Sequence, residues 1–577
     1  FPVAAGGLYR ATLGRGEATV DLETYVRPDL RDWILVGLAE GTAGYNQITG
    51  QMENLPAGTE EDLYEDGRLA FFGKGRVLGK WLLTLAYDSD KPDRQDEELF
   101  QLIDPDAYYT LYGDASRQGY EAESAAKLFL KLEREQFYAL FGDYTTGLTT
   151  TELTRYSRSL TGLKSEYHCR YATFNLFASD TDQGFIKDEL RGDGTSGLYR
   201  LSRRDLVLNS EKVTLEVRDR FHPERVLESR PLTRHLDYNI DYGQGTLFFK
   251  EPIPSRDEHL NPVYIVVDYE VIGQGDTSLN YGGRAAGRWP AQGLEFGASA
   301  IHEEQDGGEG DLYGVDALWE ITEQTRLRGE YATSDSLAAD DSRDGSAWLA
   351  ELAHRSERLA GSVYYRELAE GFGLGQQRGS EEGTRKLGTE GVWRLTDQFD
   401  LGAQLYRQVN LETEAERDVA ETEVAYTTEG YSLSTGLRHA TDTFADGEQE
   451  NSTQLLLGGS WQALERLLLR LAHEQAIAGD NDSGAFPTRT SLGADYRLTQ
   501  ATTLFGVQEF THGDDVDTST SRLGLKTTPW GGGRLHSSLE QQTGEYGPRI
   551  FALFGLGQTW QVSKRWSVDA SLDRSHT

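Results

Sequence analysis

The run GKGRVLGKW at Gly73–Trp81 carries the glycines and basic residues from which phosphate-binding loops are built. Its glycine spacing is wrong, and Trp81 stands where a Ser or Thr would hold magnesium. Lys74, Arg76 and Lys80 therefore read as a basic turn at a rim, with Gly73–Arg76 as the turn itself. No HExxH, GxSxG or CxxC motif occurs, and the eleven His are scattered, His473 and His536 standing singly on expected strands. Among 94 Asp and Glu, paired carboxylates arise by chance and make no case for acid–base catalysis. The acidic runs AADDSRD (Ala338–Asp344), GDNDSG (Gly479–Gly484) and GDDVD (Gly513–Asp517) offer oxygens to calcium or to the ions that bridge lipopolysaccharide phosphates. None has the spacing of an EF-hand loop, and solvated surface loops explain them. The expectation is a protein without catalytic residues, metal or cofactor; a barrel lipase or protease is the enzyme alternative.

What recurs is charge at every second position. Arg284 and Arg288; Lys386, Glu390 and Arg394; Arg466, Arg470 and Glu474; Asp495 and Arg497; Arg534 and Glu540; Arg565, Asp569 and Asp573 alternate with apolar partners. Those partners include Leu279/Tyr281/Ala285/Trp289, Tyr313/Val315/Ala317/Trp319, Leu387/Trp393/Leu395, Tyr431/Leu433/Leu437, Leu467/Leu469/Leu471 and Trp566/Val568/Ala570/Leu572. Period-two alternation is the pattern of a strand with unlike faces. From Ser278 onward there are roughly eighteen such segments of ~10–12 residues, close to the length of a tilted membrane-spanning strand. TSLGADYRLTQATTLFGV, near residue 490, reads as one hairpin: Leu492, Ala494, Tyr496 and Leu498 alternate, Thr499-Gln500 turn, and Thr503, Phe505 and Val507 continue.

The connections alternate too. Thr396–Gln398, Thr428–Gly430, Thr499-Gln500 and Val562–Lys564 are short; Asp335–Asp344, Glu370–Gly383, Asn410–Asp418, Asp442–Glu450, Gly479–Phe486 and His512–Asp517 are long. Short turns at one rim and long loops at the other are the habit of outer-membrane barrels, and a soluble all-β array has no reason to keep it. Trp289, Trp461, Trp530 and Trp560 near strand ends suit interfacial girdles. Arg or Lys facing hydrocarbon costs roughly 2–4 kcal/mol, so the charged face is expected to line the lumen and the Trp/Leu/Ala face to meet lipid.

Bulk composition conceals this. Mean hydropathy is −0.57, formal net charge is −37, and no apolar run approaches a membrane helix. A helical membrane protein is thereby excluded, whereas a barrel's alternating faces cancel in any average. The negative charge argues against nucleic acid as a partner. Cys169 is the single cysteine, so no disulfide framework exists. Phe1 opens without an initiating Met or signal peptide, and the chain reads as an excerpt or a processed product.

The same parity runs through seven earlier strands between Trp33 and Ala178, with Ser89–Gly119 and Thr145–Leu160 as long connections. Seven and eighteen make an odd count, so either Ala18–Val26 adds a strand or a closing strand lies beyond Thr577; the second is favoured. The expected architecture is all-β, a large antiparallel transmembrane barrel of about 26 strands, incomplete at its C-terminus. It divides as 1–30 lead-in, 31–181 first barrel part, 182–275 inserted β-sandwich, and 276–577 second barrel part. The insert is expected because short strands with Gly and Pro punctuation break the meander there, and by parity it replaces a long loop. It and Ser89–Gly119 are the candidate plugs.

The run GTSGLYRLSRRDLVLNSEKVTLEVRDR followed by RHLDYNIDYGQGTLFFKEPIPS resembles a module of large, poorly characterised proteobacterial outer-membrane proteins. It is also similar to a DY-x-IDY-x-x-G-x-L-x-F segment of the type IX secretion translocon barrel. DGRLAFFGKGRVLGKWLLTLAYDSD and LYGDASRQGYEAES resemble the same proteobacterial group, so the likeness covers about residues 30–275. It implies a bacterial outer-membrane location and no residue-level activity. Tyr238, Ile240, Tyr242 and Phe248 read as sandwich core and turn.

The function expected is a transport or secretion conduit with a charged lumen, gated or capped by the insert. The alternative is a non-conducting surface anchor or adhesin that displays it. Expected partners are outer-membrane lipid and lipopolysaccharide, with a periplasmic or lipoprotein partner as a further candidate.

Overall fold

The computed structural model describes residues 7–15, 18–26, 33–45, 63–78, 80–90 and 127–576, apart from 182, 219–225, 251–252, 258–260, 273–276, 306–307, 339–340, 378–380, 480–485, 514–516, 545–546 and 564–565. Among them every regular element is a β-strand. The expected plug Ser89–Gly119 lies, from residue 91 on, outside the described residues, as does Arg565.

Twenty-five strands, seven before the insert and eighteen after it, share one sheet that closes as a barrel. Ala18–Val26 is a strand, but it pairs with Gly7–Arg15 in a sheet of two, so it does not raise the count to the expected 26.

The chain forms two compact units, the smaller drawn from Phe1–Glu97, Tyr120–Asp143 and Thr161–Glu166. In it, Trp33–Tyr45, Leu63–Val77, Trp81–Asp88 and Leu128–Arg134 pair antiparallel in chain order. The glycine–lysine run is not the turn. Lys74 faces Thr84 and Arg76 faces Leu82 within the ladder, which ends at Val77↔Trp81. The turn follows Val77, where Leu78 takes a positive φ of 52°.

In the larger unit, Ala172–Thr181 pairs with Ser278–Trp289, and the meander then runs to Trp566–His576 with each strand beside its sequence neighbours. Short turns fall where expected at 395–398 and 428–430, and a further one lies at 323–324. One expected long loop, Asp335–Asp344, is instead largely strand: the ladder of Thr325–Ala338 and Asp341–Arg355 continues to Ala338↔Asp341. Thr502–His512 ends where the expected connection His512–Asp517 begins, and the next strand starts at Thr518.

The insert folds as two sheets over one core. Gly184–Arg191, Val263–Val271, Lys212–Arg218 and Val226–Pro231 form a sheet of four; Gly197–Arg200, Thr246–Phe249 and Tyr238–Asp241 form a sheet of three. Ile265, Val267, Leu247, Tyr238 and Tyr242 are buried between them. Of the expected core residues, Phe248 is the exception. It is 43% exposed, while Phe249 at 1% fills the core, because the strand places Leu247 and Phe249 on one face and Phe248 on the other.

Candidate functional site

The two faces of the larger unit's sheet differ sharply. One carries Tyr313, Val315, Trp319, Leu387, Trp393, Leu433, Trp461 and Leu471, all exposed although large and apolar. The other carries ion pairs. Neighbouring strands present opposite charges at adjacent levels, and cross-strand pairs of this kind stabilise a sheet modestly and fix side-chain direction.

The charged residues singled out from sequence fall on this second face as follows. Arg284 is buried and binds Asp316 at 3.0 Å and Glu295 at 2.9 Å, and Glu295 also joins Arg288 at 2.6 Å. Lys386 is buried with its Nζ 4.7 Å from the Tyr406 ring centre. Glu390 and Arg394, further along that strand, are exposed, and Arg394 approaches Asp400 at 3.6 Å. Arg470 holds Asp495 at 2.6 Å, and Glu474 takes Arg489 at 2.5 Å. Glu540 accepts from Arg522 Nε at 2.7 Å. Arg466 sits in a turn, and Arg497 and Arg534 are exposed near strand ends. Asp569 lies opposite Thr559 in the ladder. The structure thus couples Arg284 with Arg288 through Glu295, and Arg470 with Asp495, and places Lys386, Arg394, Glu474 and Glu540 in separate contacts.

The hairpin near residue 490 departs from its expected register. Asp495 faces Phe505 and Gly493 faces Val507, so these two apolar residues share the face of Arg470. Leu504 and Phe510, 40% and 51% exposed, occupy the apolar face instead. The last pair of the ladder is Arg497↔Thr503, which leaves five residues between the paired strands in place of the two expected, and an odd change in that number turns every residue of the second strand to the other face.

Sequence reasoning missed what packs on the ionic face. Residues 146–158, expected as a plain loop, fold into a hairpin in which Leu148 and Tyr156 exchange backbone bonds of 2.9 and 2.8 Å. The Glu330 carboxylate accepts from the N–H groups of Glu152 (2.9 Å) and Leu153 (2.8 Å). Glu152 in turn binds Arg328 at 3.1 Å and also Arg366. Burial works against the charge on Glu152, but the Arg366 and Arg328 guanidiniums outweigh it and hold its carboxyl below the usual range. Thr154 packs over Gly314, where a Cβ would come within 2.3 Å of Thr154 Cγ2; only glycine admits the hairpin there. A second segment, Ala369–Gln377, also folds in. Gln376 Oε1 accepts from Ser157 N–H at 2.8 Å, and Phe372, 1% exposed, lies against Gly345.

At the root of the hairpin stands Arg158, whose side chain is wholly buried. Its guanidinium reaches Glu270 of the insert at 2.7 Å, Glu303 of the wall strand Leu294–Gln305 at 3.0 Å, and the carbonyl of Gln183 at 2.9 Å. Burial disfavours its charge, yet the facing carboxylates raise its pKa well above the ordinary value, so it stays ionised. The signal available in sequence was Glu303, which continues the alternation Glu295, Gly297, Ser299, Ile301; nothing in sequence pairs it with Arg158. Across the insert, Arg522 donates to the carbonyls of Arg256 (3.3 Å) and Asp257 (3.2 Å). A cavity of about 630 Å³ remains there, lined in part by Asp193, Arg470, Phe505, Lys526 and Arg534. Another of about 1230 Å³ opens towards the short turns beside Glu320, Glu351, Glu390, Glu423 and Arg326. Among the described residues no group of His, Cys, Asp and Glu is arranged to hold a metal ion.

Asp268, on the insert strand that carries Glu270, has a buried oxygen with no hydrogen-bond partner among the described residues, and burial raises its pKa. A carboxyl raised on folding favours the folded insert below its unfolded pKa and loses that contribution as pH rises through the folded one. Asp268→Asn is expected to flatten this decline. Hydrogen exchange of the Val263–Val271 amides in the intact chain, from pH 4 upward, measures it; an unchanged pH profile removes the assignment.

No protein-family model matches the chain, and neither does the sequence of any curated protein. Among solved structures, the translocation pore of the P pilus usher PapC is similar at 11% identity and a TM-score of 0.33, over 88% of this chain and 95% of that one. The Escherichia coli P pilus tip assembly intermediate PapC-PapD-PapK-PapG gives 11% and 0.37, over 96% and 66%. The FrpB iron transporter from Neisseria meningitidis gives 11% and 0.31, over 49% and 65%.

Proposed function

We propose that the chain is an integral outer-membrane barrel that serves as a transport or secretion conduit, with the insert closing its lumen. One observation carries the reading: large apolar side chains stand exposed along one face of the sheet while charge is paired on the other. In water a belt of exposed Trp, Leu, Val and Tyr far exceeds the patches that soluble proteins tolerate. In a bilayer it is the required surface, and lipid with lipopolysaccharide is then its partner. A closed barrel leaves no unpaired backbone edge in hydrocarbon. On this reading Arg284, Arg470, Asp495, Glu540 and the other ionic residues line a wet lumen. The insert is held from both sides, by Glu270 and by the carbonyls of Arg256 and Asp257, which favours a plug over a displayed module.

Thr181 and Ser278 face each other in the ladder, so a tight turn can replace the insert without breaking the sheet. The chain without 182–277 is expected to conduct steadily in planar bilayers, and the full chain to stay mostly shut. No current from either form favours the anchor and ends the conduit reading.

A further inference from the structure

The pieces on the ionic face are bound very unequally to the wall. Within residues 152–154 the hairpin gives two backbone N–H groups to Glu330, its Glu152 carboxylate to Arg328 and Arg366, and its Thr154 hydroxyl to Ser299 at 3.1 Å. Gly314 is shaped to receive it. Among the described residues the insert meets the hairpin near its root, through Arg158 and through Lys212 Nζ, 2.8 Å from Ser157 Oγ, while Arg155 acts on Asp268 through charge. Its opposite contact with Arg522 uses carbonyl acceptors. Residues 146–158 precede the strand Ala172–Thr181 and remain on the wall whatever the insert does.

We propose that hairpin 146–158 is a fixed constriction, that the insert is the part that moves, and that Arg158–Glu270 is the autoinhibitory contact between them. This rests on the conduit reading. Arg158 suits the task because it binds both sides at once. When Glu270 leaves, Glu303 keeps the guanidinium paired on the wall, so opening exposes no orphaned cation in the passage. A hydrophobic contact of the same area could not be undone without baring apolar surface to water. The carbonyl of Gln183, also held by Arg158, lies on the short lead from Thr181 into the insert, so releasing one arginine frees both the domain and its tether.

The test is single-channel recording of the full chain and its variants in planar bilayers. Glu270→Gln and Arg158→Met are expected to raise open probability at least ~10-fold, the shift that loss of about 1.4 kcal/mol of closed-state preference produces. In a Cys169→Ser background, a short thiol crosslinker joining Ser157→Cys to Lys212→Cys is expected to shut either variant again. Trimming 148–156 from the insert-deleted chain is expected to raise its unit conductance. Glu270→Gln and Arg158→Met channels as quiet as wild type, beside a conducting insert-deleted chain, overturn the latch and leave the conduit standing. Unit conductance indifferent to trimming overturns the constriction. Silence of the insert-deleted chain removes the conduit reading itself and the latch with it.

Discussion

Leu469→Arg is expected to stop the barrel from assembling in a membrane, whereas its neighbour Arg470→Leu is expected to be tolerated. Leu469 faces Trp461 on one side and Ala494 on the other, so its Cβ points into the apolar belt. On the proposed membrane reading a guanidinium there would sit in hydrocarbon, at a cost of roughly 2–4 kcal/mol. Arg470 points the other way, to Asp495 at 2.6 Å. Both partners keep nearly a quarter of their side-chain surface exposed, and the roughly 630 Å³ cavity beside them also carries the charged side chains of Lys526 and Arg534. Removing the arginine leaves Asp495 solvated, and a pair so placed contributes about 0–1 kcal/mol. The measurement is the fraction of detergent-extracted protein that migrates as a folded band before boiling and shifts after it. Equal yields for the two variants would show that both faces meet the same solvent.

This contrast was legible in the sequence because a strand's faces repeat every two residues, so Leu467, Leu469 and Leu471 declare one solvent and Arg470 and Glu474 the other. The limits of legibility have the same origin. Period two carries no information on turn length, and the pairing Arg497↔Thr503, with five residues between in place of two, was enough to turn Phe505 and Val507 to the opposite face from the one expected. In the insert the same slip exchanged Phe248 for Phe249, since both neighbours are Phe and only the register distinguishes them. Strand ends blurred where acidic residues extend the ladder, as at Ala338↔Asp341.

The site failed to show for a different reason. Hairpin 146–158 has no apolar period, because beside a few buried side chains such as Leu148 and Tyr156 its contacts are single hydrogen bonds and ion pairs with residues up to 222 positions away, as from Arg155 to Gln377. A run such as TTELTRYSRS is what an exposed loop looks like when its partners are hidden elsewhere in the chain. Arg158 is surrounded in sequence by serines and a tyrosine, and its burial exists only once the wall and the insert bring Glu303 and Glu270 to it.

That burial makes the second large effect. Arg158→Met removes the counter-charge from two carboxylates whose side chains are 1% and 4% exposed. Breaking a buried ion cluster from one side costs about 3–5 kcal/mol, since the two carboxylates are left buried without a counter-charge. The insert of this variant is therefore expected to detach, becoming cleavable by trypsin in intact liposomes under conditions where the wild-type insert resists. Replacing the whole cluster is a different operation. Arg158→Met combined with Glu270→Leu and Glu303→Met fills the same space without charge, and such exchanges are often neutral or stabilising by about 1–4 kcal/mol. The triple variant should regain most of the protease resistance, short of the share that Arg158 gives to the Gln183 carbonyl. It should also open less readily than wild type, because separating apolar faces costs more than passing an arginine from two carboxylates to one. A triple variant as cleavable as the single one would mean that docking depends on the charges for shape rather than for release. Protease resistance in the single variant would place the insert's attachment at the Arg522 side instead.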